Sequence, residues 1–283
     1  FPMSTSDFPR IDLAHPSGAP ATVYLQAAHV AGWTDAGGAE RLFVSARSKY
    51  EPGAAIRGGI PVIFPQFADQ GPLPKHGFAR TALWEHVESG TGADGAAFAL
   101  LRLGDTGATR AVWPHAFRAE LRVSVDADAL EVALRVANTG DGVMAFTCAL
   151  HTYLRVEDVR RAAVEGLGGV RYLDKLDPGA APTEERDAVE FGGETDRVYV
   201  AAPDRLRVRG AAGGRAVLLE KRGFRDAVVW NPWEEGARKL PDMADDEYLR
   251  MLCVEPANAA EPVRLAPGEE WTGAQRLAAE QGG

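Results

Sequence analysis

Residues Glu120–Val136, ELRVSVDADALEVALRV, contain the pattern that decides the fold. Glu120–Asp126 and Leu130–Val136 each alternate polar and apolar residues, which is typical of a strand that buries one face. The Asp-Ala-Asp segment that joins them supplies turn residues. The stretch therefore predicts an antiparallel hairpin with one buried face.

The same short-strand pattern recurs along the chain, whereas helical periodicity is nearly absent. A short stretch at Gln275–Glu280 is too brief to build a helix that matters. Further strands are predicted at Thr22–Ala28, Arg41–Ala46, Ala97–Leu103, Phe146–Val156, Val198–Ala201, Arg205–Arg209, Ala216–Glu220, Ala227–Trp230 and Tyr248–Val254. Many short strands separated by turns predict an all-β sandwich or barrel.

The organisation favours one large domain over residues 1–283, with its core between about 20 and 275, because no low-complexity linker or fixed-period repeat divides the chain. A split into two domains near residues 140–145 is the alternative. The composition, 46% hydrophobic and 25% charged, is that of an ordinary globular protein.

Charge and cysteine content exclude several classes of function. A net charge of −9 argues against general binding to nucleic acids or anionic membranes. No apolar run reaches the ~20 residues that cross a bilayer, and no leader pattern opens the sequence. Cys148 and Cys253 have no CxxC partner, so we expect buried, reduced thiols in a cytoplasmic protein.

The segment Arg57–Arg80 is rich in glycine and proline, which cannot build a long helix or a central strand. It concentrates the cations Arg57, Lys75 and Arg80 against the acidic background, as a loop that binds a small anion would. Nearby positive charge favours the neutral form of His76, which then acts as a hydrogen-bonding group. The alternative for His76 is a loop histidine that caps backbone groups.

His151 and Glu255 each stand beside an apolar run. His151 follows Phe146–Leu150, and Glu255 ends the run that Pro256 closes. Burial would raise the pKa of Glu255 and make it a better base. A satisfied core histidine and an exposed strand-end glutamate are the alternatives.

Asp196 lies at the entry to a strand, and Trp230 could offer an aromatic platform, although a turn aspartate and a core tryptophan explain them equally well. No P-loop, GxGxxG, HExxH or GxSxG motif is present. Two histidines and Glu255 therefore form the best catalytic set. Such a set can hold a metal, but the neighbouring cations disfavour one, and we expect no metal.

Eight blocks occur in order along the chain: Arg57–Pro61, Phe64–Phe67, His76–Arg80, Leu150–Tyr153, Tyr172–Lys175, Glu194–Tyr199, Val229–Pro232 and Cys253–Pro256. Together they resemble the D-hexose-6-phosphate mutarotases, or glucose-6-phosphate 1-epimerases, of the aldose 1-epimerase superfamily. The resemblance implies a galactose-mutarotase-like β-supersandwich. It also implies interconversion of the α and β anomers of a hexose 6-phosphate, without a metal or organic cofactor.

The resemblance also implies roles for individual residues. Glu255 matches the general base that takes the proton of the anomeric hydroxyl, and His151 matches the general acid at the ring oxygen. His76 matches a second histidine that hydrogen-bonds the sugar, and Asp196 matches a carboxylate that binds a hydroxyl. The expected partner is a small hexose 6-phosphate, not a nucleic acid or a membrane, and the expected state is a monomer.

Arg57, Lys75 and Arg80 are expected to hold the phosphate. Two alternatives keep the fold: a non-catalytic sugar-phosphate-binding protein, and a mutarotase of unphosphorylated aldoses. A further alternative is a carbohydrate-binding module that stacks sugars on three tryptophans, and surface tryptophans on a strand face would support it. These tryptophans are Trp113, Trp230 and Trp233.

Overall fold

The computed structural model describes residues 8–16 and 19–280, which form nineteen strands and two short α-helices. The strands are β1 Arg10–Ala14, β2 Pro20–Tyr24, β3 His29–Trp33, β4 Val62–Ile63, β5 Glu85–Thr91, β6 Ala97–Gly104, β7 Phe117–Val125, β8 Ala129–Asn138, β9 Met144–Leu150, β10 Tyr153–Arg155, β11 Ala163–Glu165, β12 Tyr172–Asp174, β13 Ala188–Glu190, β14 Thr195–Tyr199, β15 Arg205–Arg209, β16 Val217–Arg222, β17 Asp226–Asn231, β18 Met251–Leu265 and β19 Glu270–Ala279. The helices are α1 Gly107–Val112 and α2 Trp233–Arg238. Single 3₁₀ turns lie at Ala79–Thr81, Val159–Arg161 and Glu247–Arg250.

The strands form three sheets, and every pairing between the named strands is antiparallel. A three-stranded sheet has the order β1-β2-β3. A seven-stranded sheet has the order β12-β14-β17-β18-β9-β4, with β10 also paired to β18. A nine-stranded sheet has the order β13-β11-β15-β16-β19-β8-β7-β6-β5. The prediction of an all-β fold is confirmed.

The hairpin predicted at Glu120–Val136 is the β7–β8 pair in the nine-stranded sheet. Residues of β7 alternate between buried and half-buried, as its sequence pattern requires. Leu121 and Val132 from this sheet join the same buried cluster as Leu252 and Val254 from the seven-stranded sheet. Burying each such side chain contributes about 1.5–3 kcal/mol, so this shared core holds the two sheets together.

Strand β18 positions the functional face of the seven-stranded sheet. Its first nine residues, Met251–Ala259, are all buried, which is typical of a strand covered on both faces. Since side chains alternate along a strand, Leu252 and Val254 enter the main core while Cys253 and Glu255 point to the opposite face.

Several details of the predicted secondary structure are wrong. The strand predicted at Phe146–Val156 is two strands, β9 and β10, separated by His151 and Thr152. Residues 275–280 belong largely to strand β19, where Gln275 and Leu277 are fully buried between β8 and β16. The strand expected from Tyr248 begins only at Met251, because a 3₁₀ turn precedes it. The segment Arg41–Ala46 forms only isolated bridges.

Both cysteines are buried and unbridged, as expected. The extent of the domain, residues 1–283, stays a prediction. Within the described ranges, the helices are all too short or too polar to traverse a lipid bilayer.

Candidate active site

One pocket of about 200 Å³, open to solvent at its mouth, contains all eight residues that the sequence singled out. Four further residues complete its wall, and sequence reasoning did not assign them to the site. The lining residues are Arg57, Phe67, Lys75, His76, Arg80, His151, Lys175, Asp196, Val228, Trp230, Leu240 and Glu255.

The floor of the pocket is set by strand register. Asp196 on β14 pairs with Trp230 on β17, and Trp230 pairs with Cys253 on β18. On its other side, Cys253 pairs with Tyr153 on β10. This row of four residues crosses four strands on one face of the sheet. Glu255 follows Cys253 by two residues and therefore projects from the same face.

The rim comes from the segment 57–80, and two of its glycines explain its path. Gly58 has φ +116°, and a Cβ there would lie 2.3 Å from the carbonyl oxygen of Phe43. Gly77 has φ +69°, and a Cβ would lie 2.3 Å from the carbonyl oxygen of Phe64. Only glycine tolerates both this backbone conformation and such close contacts. These two positions fix how Arg57 and His76 enter the pocket.

His151 and Glu255 meet at the base of the pocket. His151 Nδ1 lies 3.2 Å from Glu255 Oε1. The contact lacks hydrogen-bond geometry, and both His151 Nδ1 and Glu255 Oε2 are buried without a hydrogen-bond partner. Buried polar atoms are rarely left unpaired, so these two atoms are available to a bound molecule. Cys253 lies beside them. Within the part of the chain that the structure describes, His151, Cys253 and Glu255 form a group that could hold a metal ion.

The environment of this pair favours its uncharged form. Burial, with help from the negative charge of Asp196, raises the pKa of Glu255 well above its usual value. Burial lowers the pKa of His151, and His76, Arg80 and Arg57 lower it further. The carboxyl group is therefore a strong base once ionised, and the imidazole is a strong acid once protonated.

Three aromatic rings hold His151 in place. Tyr153 stacks on it at 4.8 Å between ring centroids and 12° between planes. Trp230 and His76 contact it edge-on at 5.9 and 5.5 Å. Such contacts restrict the imidazole to one orientation beside Glu255.

The hydrogen bonding of His76 determines its tautomer. The backbone N–H of Ala68 donates to His76 Nδ1 at 3.2 Å, so Nδ1 carries no proton and Nε2 carries one. Burial lowers the pKa of His76 to about 2, with Arg80 and Lys75 as the next causes. His76 is therefore neutral, as expected. Burial is the main cause, and the neighbouring positive charges add to it.

Arg57 is already engaged on two sides. Its Nη1 donates to the hydroxyl of Tyr153 at 3.0 Å, and its Nε and Nη2 lie 3.2 and 3.1 Å from Asp242 Oδ1. Burial acts to lower the pKa of Arg57, but Tyr153 and Asp242 outweigh it and raise that pKa. Arg57 therefore connects the loop that carries Asp242 to the ring that stacks on His151.

The other cations are less engaged. Arg80 donates from Nη2 to the carbonyl of Lys75 at 3.0 Å, while its buried Nε has no hydrogen-bond partner. Lys175, which the sequence did not suggest, lies over the ring of Phe67 at 5.4 Å and 4.0 Å from Asp196 Oδ2. Within residues 8–16 and 19–280, no hydrogen bond or ion pair is made by the Lys75 ammonium group. One wall of the pocket therefore carries cationic side chains that can bind an anion.

The tryptophans do not form a sugar-stacking surface. Trp230 lies on β17, but Trp113 caps the end of α1 and packs against Phe64, while Trp233 begins α2. The support that surface tryptophans on a strand face would give to a carbohydrate-binding module is therefore absent for Trp113 and Trp233. Tyr153 and Lys175 belong to the sequence blocks quoted above, which is the signal that could have suggested them.

The comparisons with known proteins agree with this fold. A family model described as aldose 1-epimerase matches residues 9–278. A protein of Cenchrus ciliaris provisionally named glucose-6-phosphate 1-epimerase is 39% identical over 92% of this chain and 81% of its own length. An Escherichia coli K12 protein with the same provisional name is 35% identical over 87% of this chain and 82% of its own length.

The fold is shared with solved structures. A Salmonella typhimurium crystal structure, provisionally described as a mutarotase, superposes with a TM-score of 0.90 at 30% identity. The match covers 99% of this chain and 92% of that one. The predicted galactose-mutarotase-like architecture is confirmed. The chain belongs to the aldose 1-epimerase family of isomerases.

Proposed function

We propose that this protein interconverts the α and β anomers of a hexose 6-phosphate by opening and reclosing the sugar ring. One observation carries the proposal. An acid–base pair, Glu255 and His151, sits 3.2 Å apart at the base of a pocket whose walls hold four cationic side chains. A dianionic phosphate attached to a neutral sugar has the charge distribution that matches this pocket.

In the proposed mechanism, the two residues act on the two oxygens of the anomeric carbon. In its ionised form Glu255 takes the proton of the anomeric hydroxyl, and in its protonated form His151 gives a proton to the ring oxygen. The C1–O5 bond breaks, its electron pair stays on the ring oxygen, and a C1 aldehyde forms. The aldehyde rotates about C1–C2, and reclosure on its other face with the roles reversed gives the second anomer. Each proton transfer contributes about 10²–10⁴-fold.

Binding of the phosphate would also prepare the acid. Arg80 and Arg57 help to depress the pKa of His151. A phosphate held by these cations offsets their charge, so the pKa of His151 rises toward neutrality when substrate binds. The phosphate then contributes to the chemical step as well as to binding, although it does not touch the reacting carbon.

We assign the phosphate chiefly to Arg80, Lys75 and Lys175, with Arg57 at its edge. The first three present donors without anionic partners closer than 4.0 Å, whereas Asp242 and Tyr153 already occupy Arg57. His76 Nε2–H and Asp196 are assigned to sugar hydroxyls, and Trp230 to the pocket floor. We further propose a cytoplasmic monomer, since its two unbridged cysteines fit a reducing compartment.

The test measures anomer exchange by polarimetry or NMR for glucose, galactose and mannose 6-phosphates and for the free sugars. We expect kcat/KM to be at least about tenfold higher for a phosphorylated sugar than for its free counterpart. Arg80→Ala should lower kcat/KM for the phosphorylated sugar by about 10–150-fold, the value of a charge-assisted hydrogen bond, and barely affect the free sugar. The control is Arg222→Ala, an exposed arginine of β16 that pairs with Glu131.

Two results would contradict the proposal. Binding of a hexose 6-phosphate without any anomer exchange would favour a non-catalytic binding protein. An equal loss in Arg80→Ala on the free and phosphorylated sugars would favour a mutarotase of unphosphorylated aldoses.

A further inference from the structure

The face of β18 that carries Glu255 also carries a thiol. Cys253 precedes Glu255 by two residues, and both project from the same side of the strand. One ligand atom each from His151, Cys253 and Glu255 lie within 4.8 Å of one another, and all three residues are buried. Imidazole, thiolate and carboxylate are the three ligand types that zinc uses in proteins.

The spacing suits a tetrahedral ion. Bonds of about 2.0–2.3 Å place ligand atoms about 3.5 Å apart in such a site. His151 Nδ1 and Glu255 Oε1 are already 3.2 Å apart. One ligand atom from each of the three residues lies within 4.8 Å of the others, which is within about 1.3 Å of the tetrahedral separation.

Two buried atoms at this place point to a missing ligand. His151 Nδ1 and Glu255 Oε2 have no hydrogen-bond partner, and the side chains are 9% and 1% exposed. Each carries a lone pair when deprotonated, so each can bind an ion. Both residues line the pocket, which is open to solvent and gives an ion its entry path.

Neighbouring cations select which ion can bind. Arg57, Arg80, Lys75 and Lys175 line the same pocket and repel a hard cation held only by oxygen atoms. A thiolate and a carboxylate together supply two negative charges, which equal the charge of a divalent ion. Sulfur ligands favour zinc or cadmium over magnesium or calcium. Sequence analysis did not place Cys253 beside His151 and Glu255. Its position there changes the earlier expectation that this site holds no metal.

We propose that His151, Cys253 and Glu255 form an inhibitory site for a thiophilic divalent cation such as Zn²⁺ or Cd²⁺. The ion displaces the thiol proton, and any proton on the imidazole nitrogen or carboxyl group that it binds, and these protons pass to solvent. No group changes its oxidation state. The bound ion occupies the two side chains that handle the anomeric oxygens, so it blocks the reaction without being part of it.

Direct binding is measured with Cd²⁺, because the cadmium–thiolate bond has its own ultraviolet absorption band. The intact protein is titrated in a buffer without chelators, and one equivalent is expected to bind with that band. Cys148→Ala leaves Cys253 as the only thiol and should keep the band and the stoichiometry. Cys253→Ala and Cys253→Ser should lose the band and fold as the wild type does in melting experiments.

The kinetic arm rests on the proposed mutarotase activity, whereas the absorption arm does not. Zn²⁺ and Cd²⁺ should inhibit the wild type and Cys148→Ala, and Mg²⁺ at the same concentration should not. Relative to its own activity without metal, Cys253→Ala should be inhibited more weakly by Cd²⁺, with an inhibition constant raised by roughly tenfold or more.

A missing cadmium–thiolate band in Cys148→Ala overturns the proposal even if the Cys253 variants fail to fold. A band that persists in Cys253→Ala, or equal inhibition of that variant and the wild type, also overturns it. If the protein shows no mutarotase activity at all, the absorption titration still decides whether the site exists. Failure of the metal site and failure of the proposed function are thereby distinguishable.

Discussion

Replacing Glu255 by glutamine removes one charge-bearing oxygen from the base of the pocket and leaves the side-chain shape almost unchanged. Glutamine cannot take the proton of the anomeric hydroxyl, so the rate of anomer exchange should fall by about 10²–10⁴-fold. That loss corresponds to about 2.7–5.4 kcal/mol in the activation barrier. His151→Asn should cost a similar factor, and the double variant should cost little more, because the two residues act as a unit.

The unfolding free energy of Glu255→Gln provides a second, independent test. Burial raises the pKa of Glu255, so between pH 4.5 and that raised pKa the folded protein keeps a proton that the unfolded chain releases. The free energy of unfolding then decreases by about 1.36 kcal/mol for each unit of rising pH. Glutamine does not titrate. Between pH 5 and 7, Glu255→Gln should therefore gain up to about 2.7 kcal/mol in stability relative to the wild type.

The assay is anomer exchange of a hexose 6-phosphate with the spontaneous rate subtracted, together with denaturant unfolding at pH 5, 6 and 7. The control is Glu131→Gln, which removes a carboxylate on the nine-stranded sheet that pairs with Arg222. It should retain full activity. Wild-type turnover in Glu255→Gln would refute the acid–base assignment. A relative stability that falls between pH 5 and 7 would refute the electrostatic reasoning.

Three further predictions concern the surroundings of the pocket. Tyr153→Phe removes the hydroxyl that accepts a hydrogen bond from Arg57 and keeps the ring that stacks on His151. The KM for the phosphorylated sugar should therefore rise about tenfold at constant kcat. An equal rise in KM for the free sugar would contradict this. Gly58→Ala, with its Cβ 2.3 Å from a carbonyl oxygen, should lose at least about 3 kcal/mol in denaturant unfolding, whereas Gly53→Ala, at φ +80° with open space, should lose only about 1 kcal/mol. Burial lowers the pKa of His29 to about 3. Between pH 6.5 and 3, His29 is therefore protonated in the unfolded chain and neutral in the folded protein. The free energy of unfolding then falls by about 1.36 kcal/mol for each pH unit as the pH drops. His29→Leu should show a slope smaller by that amount, and an unchanged slope would mean that His29 is not buried as a neutral side chain.

Sequence patterns predicted the parts of the fold in which local signals and tertiary structure agree. The β7–β8 hairpin alternates because one of its faces enters the core, so its burial can be read from residue order. Strand β19 was missed because it buries Gln275, a polar residue that no pattern identifies as internal. Its Oε1 accepts from the hydroxyl of Thr152 at 2.8 Å, a partner 123 residues away. Burial of that kind depends on a contact that exists only after folding.

The candidate site divides in the same way. The blocks around His151 and Glu255 predicted the proposed acid–base pair, and the segment 57–80 contains three of the four cations that line the same pocket. Asp242 was not predicted, because its pairing with Arg57 joins residues 185 positions apart. The carboxylate itself has no unusual sequence context among the forty acidic residues of the chain. Long-range ion pairs of this type follow from the fold and cannot be inferred from composition.

The register of the seven-stranded sheet has a consequence for how such a protein can diversify. The row Asp196, Trp230, Cys253 and Tyr153, with Glu255 beside it, owes its spacing to backbone hydrogen bonds between four strands. A single inserted residue in β17 or β18 would turn part of the row to the other face, so insertions there should be eliminated by selection. Within the rim, between the fixed positions Gly58 and Gly77, the exposed segment Asp69–Pro72 tolerates change in length and sequence far better. New sugar preferences can therefore arise at the rim by ordinary loop variation, while the ring-opening chemistry on the sheet is inherited unchanged.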